Sequence, residues 1–331
     1  MKRMKKIIPA LLLSAAASTG AQAQTFCMYD PVGAQGSAFA LAKDYALVAK
    51  SWGANLELKA YTDERVAAED FKAGQCDGVG ITGLRGRQFN AYVGSIDSIG
   101  AVPSYDHLRT VIQVLAAPAS EKAMLNGQYE VAGIFPLGAA YVFVRDRAID
   151  SIEKAAGKKI AVLDFDKSQA RMVQQLGAQP VASDITNFTA KFNNGQVDIV
   201  VAPGIAFKPF EMYKGLGTKG AIYRFPLVQL TGNLIIRPDR FPEGFGAKSR
   251  KYILSQMPTA QRTIQQAEDG IDEKYWLDLT AADKAKYTLM MTEARVQMTK
   301  DGFYDKKMMN LLKKIRCKYN AAAAECANNI E

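Results

Sequence analysis

Residues 157–203 read GKKIAVLDFDKSQARMVQQLGAQPVASDITNFTAKFNNGQVDIVVAP. Positions 158–163 form a short apolar run rich in β-branched residues, which predicts a buried strand. Asp164, Phe165 and Asp166 close it. Positions 167–176 carry helical spacing, with Ala170, Val173 and Leu176 on one face and Gly177 as the stop. A second short strand falls at 180–181. Ser183 and Asp184 then open a helix that runs to Phe192, Gly195 ends it, and 197–202 predicts a third buried strand. This β-α-β-α-β order is the half-unit of an open parallel sheet.

The end of this stretch has an echo. Phe71-Lys72-Ala73-Gly74-Gln75-Cys76-Asp77 precedes the apolar run 78–82, and Phe192-Asn193-Asn194-Gly195-Gln196-Val197-Asp198 precedes the run 199–203, 121 residues later. Both read F-x-x-G-Q-x-D before a strand. Helix-to-strand turn chemistry accounts for the Phe anchor and the left-handed Gly, but not for the matching Gln and Asp. The pattern predicts an α/β protein with two lobes of related topology, each a mostly parallel sheet flanked by helices. Ligands of open sheets bind beyond the carboxyl ends of the strands, so two facing lobes predict a cleft.

Working outward, strands are expected at 25–29, 56–60, 78–82, 111–116, 131–135, 139–145, 221–223 and 229–237. Helices are expected at 37–51, 66–71, 207–216, 247–257, 258–266, 276–279, 281–299 and 305–319. Strands 139–145 and 229–237 are read as crossings between lobes. The first lobe is then 24–142 plus 232–262, and the second 143–231 plus 263–331. A chain of 331 residues, 48% of them apolar, can fill two cores of this size.

Residues 1–23 have the form of an export signal: Lys2, Arg3, Lys5 and Lys6, then an apolar run at 7–17, then Ala21-Gln22-Ala23. The run is too short for a permanent membrane span, and no later stretch approaches that length. The bulky Phe26 before Cys27 argues against lipid attachment there. These features predict a periplasmic protein. Lys and Arg total 42 against 33 Asp and Glu; four of the cations sit in the leader, leaving a mild surplus of about five, dispersed rather than patched. No nucleic-acid partner is expected, and the chain is read as a monomer. The four cysteines form an even set behind an export signal, which points to disulfides rather than metal ligands. Cys27 and Cys76 open strands that neighbour each other in a 2-1-3 order, and Cys317 and Cys326 lie close together near the end, so the expected pairs are Cys27–Cys76 and Cys317–Cys326.

Enzymatic patterns are sparse. His107 is the single histidine. No nucleophile elbow, metal-ligating His pair or phosphate loop is present, and no cofactor is assigned. Asp164 and Asp166 could form a metal pair or a solvated strand-end turn; no metal is assigned. Polar residues gather at strand exits instead: Asp30, Glu64, Arg85 and Arg87 in the first lobe, Asp164, Asp166 and Arg171 in the second, interleaved with Tyr105 and Tyr141. The acids either pair with the arginines or meet an amine on a ligand. The expected function is capture of a small polar solute, amine-bearing if one of these acids meets the ligand. A periplasmic enzyme and an envelope-associated interaction protein are the alternatives.

The chain resembles the periplasmic solute receptors of tripartite ATP-independent periplasmic (TRAP) transporters. The resemblance is carried by Arg147-Ala148-Ile149-Asp150-Ser151-Ile152, Gly157-Lys158-Lys159-Ile160, Leu176-Gly177-Ala178-Gln179-Pro180, the second F-x-x-G-Q-x-D and Ala202-Pro203. Within that group it is similar to a subgroup of unknown substrate, some of whose members carry a label as efflux-pump components in aminoglycoside resistance. The resemblance implies hinge closure on a solute and delivery to TRAP-type membrane subunits. It also implies an arginine after the K-I pair that grips a ligand carboxylate; Ala161 stands there. Asn233 falls where such receptors carry a ligand-contacting amide at the hinge.

Overall fold

The computed structural model describes residues 23–327; the expected leader falls almost wholly outside them. Eleven strands form one sheet: β1 (Gln24–Tyr29), β2 (Leu56–Tyr61), β3 (Gly78–Thr82), β4 (Leu125–Asn126), β5 (Tyr129–Val144), β6 (Lys159–Leu163), β7 (Gln179–Ser183), β8 (Ile199–Pro203), β9 (Ala221–Tyr223), β10 (Val228–Ile236) and β11 (Trp276–Leu277). The order across the main path is β2-β1-β3-β10-β5-β8-β6-β7. The outer trios β2-β1-β3 and β7-β6-β8 are parallel and identically ordered, and the antiparallel β10 and β5 join them.

The two copies of F-x-x-G-Q-x-D do the same work. Phe71 and Phe192 are fully buried helix-end anchors. Gly74 and Gly195 take φ of 78° and 73°, the left-handed turn open to glycine. Asp77 accepts from the amide of Thr25 in β1 at 2.8 Å, and Asp198 accepts from the amide of Lys159 in β6 at 2.9 Å. The Asp thus pins the neighbouring strand in each trio. This explains why an acid recurs where a turn alone needs none.

Each half-sheet buries apolar side chains on both faces. Phe71, Val79, Ile81 and Ile235 share one cluster, and Phe26, Phe39, Leu234 and Phe245 share the opposite one. In the other half Val144, Ile160 and Ile199 pack on one face, Phe143, Phe192 and Val200 on the other. The last long helix, Lys306–Tyr319, sends Met308, Leu312 and Ile315 into the cluster of Phe71 and Val79, whereas the sequence reading grouped 263–331 with the second lobe. Both expected disulfides are present. Cys27–Cys76 ties β1 to the turn before β3, and Cys317–Cys326 closes the tail, where Arg316 also pairs with Glu325 at 2.7 Å.

Several elements differ from expectation. Residues 111–116 belong to the helix Tyr105–Ala116, because Leu108, Val111, Ile112 and Leu115 recur at helical spacing toward the core. The strands expected at 131–135 and 139–145 are one strand, β5, continuous through Pro136 and Gly138. Gly138 has φ of 104°, and Leu137 is the extra residue of a bulge opposite Leu230 and Thr231. The two helices around Pro258 are one, Phe245–Asp269. Residues 276–279 include β11 rather than a helix, paired with β9. The helix expected at 207–216 is reduced to its last turn, Tyr213–Leu216.

Candidate ligand cleft

β3 and β6 are four strand positions apart, roughly 19 Å along a flat sheet. The residues that leave their carboxyl ends nevertheless touch. The Arg85 guanidinium lies over the Phe165 ring at 3.6 Å from its centre, and Arg87 Nη1 reaches Asp166 Oδ2 at 3.4 Å. The two half-sheets are therefore folded toward each other about β5 and β10. Between them lies a cavity of about 770 Å³. Its lining comes from the carboxyl ends of both trios (Met28 and Asp30, Thr82 and Leu84, Leu163 and Asp166, Val201 and Pro203), from the joining strands at Phe135, Leu137 and Leu230, and from the long helix at Met257 and Ile264.

The residues expected to hold ligand divide into groups. Asp30 is buried at the end of β1, and its oxygens accept from the amides of Val32 at 2.8 Å and Phe39 at 3.0 Å, covering the start of the helix Ser37–Lys50. A side chain at Gly36 would collide with it, so this turn requires glycine. Glu64 is also buried; it accepts from the Thr82 hydroxyl at 2.8 Å and the Thr82 amide at 3.2 Å, and lies 3.4 Å from Arg85 Nε. Burial raises its carboxyl pKa, with Arg85 opposing. Asp166 caps the helix Lys167–Gln175 through the Ser168 amide at 3.0 Å and also accepts from the Ser168 hydroxyl and Arg87.

Tyr105 and Tyr141 meet at the hinge through a residue the sequence reading missed. Tyr105 donates to Glu268 Oε1 at 2.8 Å and accepts from the Ala139 amide at 2.9 Å. Tyr141 lies close enough to the same carboxyl for its own pKa to be raised by it on top of the rise from burial, and packs edge-on against Trp276. Burial raises the Glu268 pKa, and the two phenols oppose the rise. Asp164 is exposed on an outer groove that Arg171 also lines and that shares Val162, Leu163 and Asp166 with the cavity, and Arg171 pairs with Asp301 at 3.2 Å. Asn233 is buried within β10, paired with β3 and β5, and its Nδ2 has no partner. Of the expected residues, Asp30 and Asp166 line the cavity.

Asp97 was also missed. It is fully buried at the cavity wall and accepts from the Thr231 amide at 3.1 Å and hydroxyl at 2.6 Å. Burial pushes its pKa up to about 7, with Thr231 opposing. An acid set among Ile and Ser in Ser95-Ile96-Asp97-Ser98-Ile99 was the available signal. Glu268 had no such flag, since Gln265-Gln266-Ala267-Glu268-Asp269 reads as a solvated helix end. His107, the lone histidine, accepts or donates at Ser104 and stacks on Tyr319 at 4.1 Å, away from the cavity.

The two-lobed architecture with a central cleft is that of solved solute receptors. One from Desulfovibrio salexigens, a TRAP periplasmic solute-binding protein with bound orotic acid, aligns over 89% of this chain and 98% of its own at a TM-score of 0.73 and 17% identity. Another, from Haemophilus influenzae with bound L-gulonate, aligns over 88% and 99% at a TM-score of 0.73 and 12% identity. In sequence, the probable solute-binding protein AdeT1 of Acinetobacter baumannii is 55% identical over 304 residues, 92% of this chain and the whole of that one. The chain belongs to the solute-binding protein AdeT 1/2 family, whose model matches residues 46–331. Among the described residues, no helix is long and apolar enough to cross a membrane.

Proposed function

We propose that this solute-binding protein is an exported receptor that captures a small molecule between its lobes and delivers it to a TRAP-type membrane transporter. The observation that carries the reading is the cavity itself, walled by the carboxyl ends of two matching strand trios and joined at a two-strand hinge. Arg85–Phe165 and Arg87–Asp166 act as latches that hold the lobes together over it. The periplasmic location is supported by the leader pattern and by two disulfides, which persist in oxidising compartments. Solved receptors of the same fold hold orotic acid and L-gulonate, which supports a small-molecule cargo.

The lobes in this reading are 24–142 with 232–262, and 143–231 with 263–297. The tail from Met298 returns to the first lobe, where Met298, Met308 and Leu312 share a core with Phe71. The protein works as a monomer. Asp30, Glu64 and Asp166 serve the closed frame rather than a ligand amine, since each is engaged within the protein. Native mass spectrometry of protein isolated from the periplasm tests the reading. A small-molecule adduct that is lost on denaturation is expected; adduct-free protein with no ligand-induced closure would argue for an interaction module.

A further inference from the structure

We propose that the interlobe cavity takes an uncharged and largely apolar molecule rather than a carboxylate gripped by a cation; the proposal rests on the receptor reading above. The walls carry the argument. Met28 and Leu84 face inward from one lobe, Leu163, Met172 and Phe210 from the other, and Met257 from the long helix. Among the described residues no lysine, arginine or histidine lines the cavity. Ala161 is part of the wall, a methyl group in β6.

The two arginines at the cleft are already used, and Lys167 beside Asp166 is exposed on the outer groove rather than in the cavity. Arg85 is folded onto Glu64 and Phe165, and Arg87 onto Asp166 and the Gly94 carbonyl. Arg87 and Asn233 keep buried donors without a protein partner, but neither residue lines the cavity. The acids in the wall are engaged too: Asp30 by two amides, Asp97 by Thr231, Asp166 by Ser168 and Arg87. Asp44 is exposed at the rim. A carboxylate entering this space would lose its water and gain no cation, and an amine would find its one unengaged acid, Asp44, only at the water-exposed rim. An apolar molecule gains by the same desolvation. At about 770 Å³ the space is large for a four-carbon diacid, lying high in the usual range of roughly 300–1,000 Å³ for ligand sites. The methionines suit a flexible chain or an irregular ring system, because their side chains repack readily.

The test uses the mature protein and a neutral fluorescent probe, N-phenyl-1-naphthylamine. Saturable fluorescence enhancement is expected. 1-Decanol should displace the probe at a concentration about tenfold below that needed for decanoate, and succinate and galacturonate should not displace it. Ala161→Arg should abolish probe binding. Met172→Gln, a milder change at a partly exposed site, should weaken it several-fold and keeps the test valid if the arginine variant does not fold. Probe binding that neither variant alters would place the probe on the outer surface and overturn the proposal. Saturable binding of succinate, galacturonate or decanoate in preference to the neutral compounds would overturn it while leaving the receptor reading intact. Absence of binding by any of these, together with an adduct-free native spectrum, would overturn both.

Discussion

Glu64 and Arg85 illustrate how a charged pair can be costly and still necessary. Both side chains are almost wholly removed from water, so Glu64→Ala leaves a guanidinium buried against Phe165 without its counter-charge. Loss of one partner of such a pair costs about 3–5 kcal/mol. Denaturant unfolding should show that loss, whereas Asp164→Ala, at an exposed site, should be close to neutral. Asp97 makes a pH-dependent prediction. Its folded pKa is raised to about 7 by burial, so the fold favours the protonated form. The stabilisation this confers is full below the unfolded aspartate pKa near 4 and is lost as pH rises through about 7, up to roughly 4 kcal/mol. The melting temperature should fall across that window, and Asp97→Asn should flatten the fall; a wild-type profile unchanged by the substitution would show that Asp97 does not titrate there. At this scale the site was only partly legible. The strand-end acids could be picked out from local pattern, but their partners lie far along the chain, as with Asp97 and Thr231, 134 residues apart. The apolar wall was invisible for another reason: Met28 or Leu163 lining a cleft reads the same as Met28 or Leu163 filling a core.

Among the elements, the parallel trios were readable because each carries its own local code: a buried Phe, a left-handed Gly and an Asp that pins the next strand. The hinge strands were less so. Pro136 and Gly138 look like strand breakers, yet β5 absorbs them at a bulge and runs on for 16 residues. The helix Tyr105–Ala116 was misread because its β-branched run Val111-Ile112 masked the 3.6-residue period. The two disulfides belong to this scale, since each fixes one element to another. Chain-entropy arguments give about 4 kcal/mol for Cys27–Cys76, which closes a 49-residue separation, and roughly 2–3 kcal/mol for Cys317–Cys326 with its separation of 9. Paired Cys→Ala variants should therefore rank in that order in chemical denaturation. A larger loss from the tail bridge would mean that docking of the helix Lys306–Tyr319 depends on it more than on Met308 and Leu312.

For the whole molecule, one continuous sheet bends at β5 and β10 so that the exits of β3 and β6 meet. The latches Arg85–Phe165 and Arg87–Asp166 are contacts of single side chains, and neither joins large apolar surfaces. Such an arrangement suits reversible opening, with Tyr105 bonded to Glu268 and to the Ala139 amide at the hinge while the lobes part. The covering helix Phe245–Asp269 spans the hinge, from Tyr252 and Ile253 near the first half-sheet, past Ile264 near Gly138, to Glu268 beside Gly204. Small-angle scattering on the mature protein, stripped of bound molecules and then saturated with the ligand recovered from the periplasm, measures this motion directly. The account predicts that the radius of gyration falls on saturation, and that Arg87→Ala, which removes a latch, reduces the fall. A profile unchanged at proven saturation would contradict it.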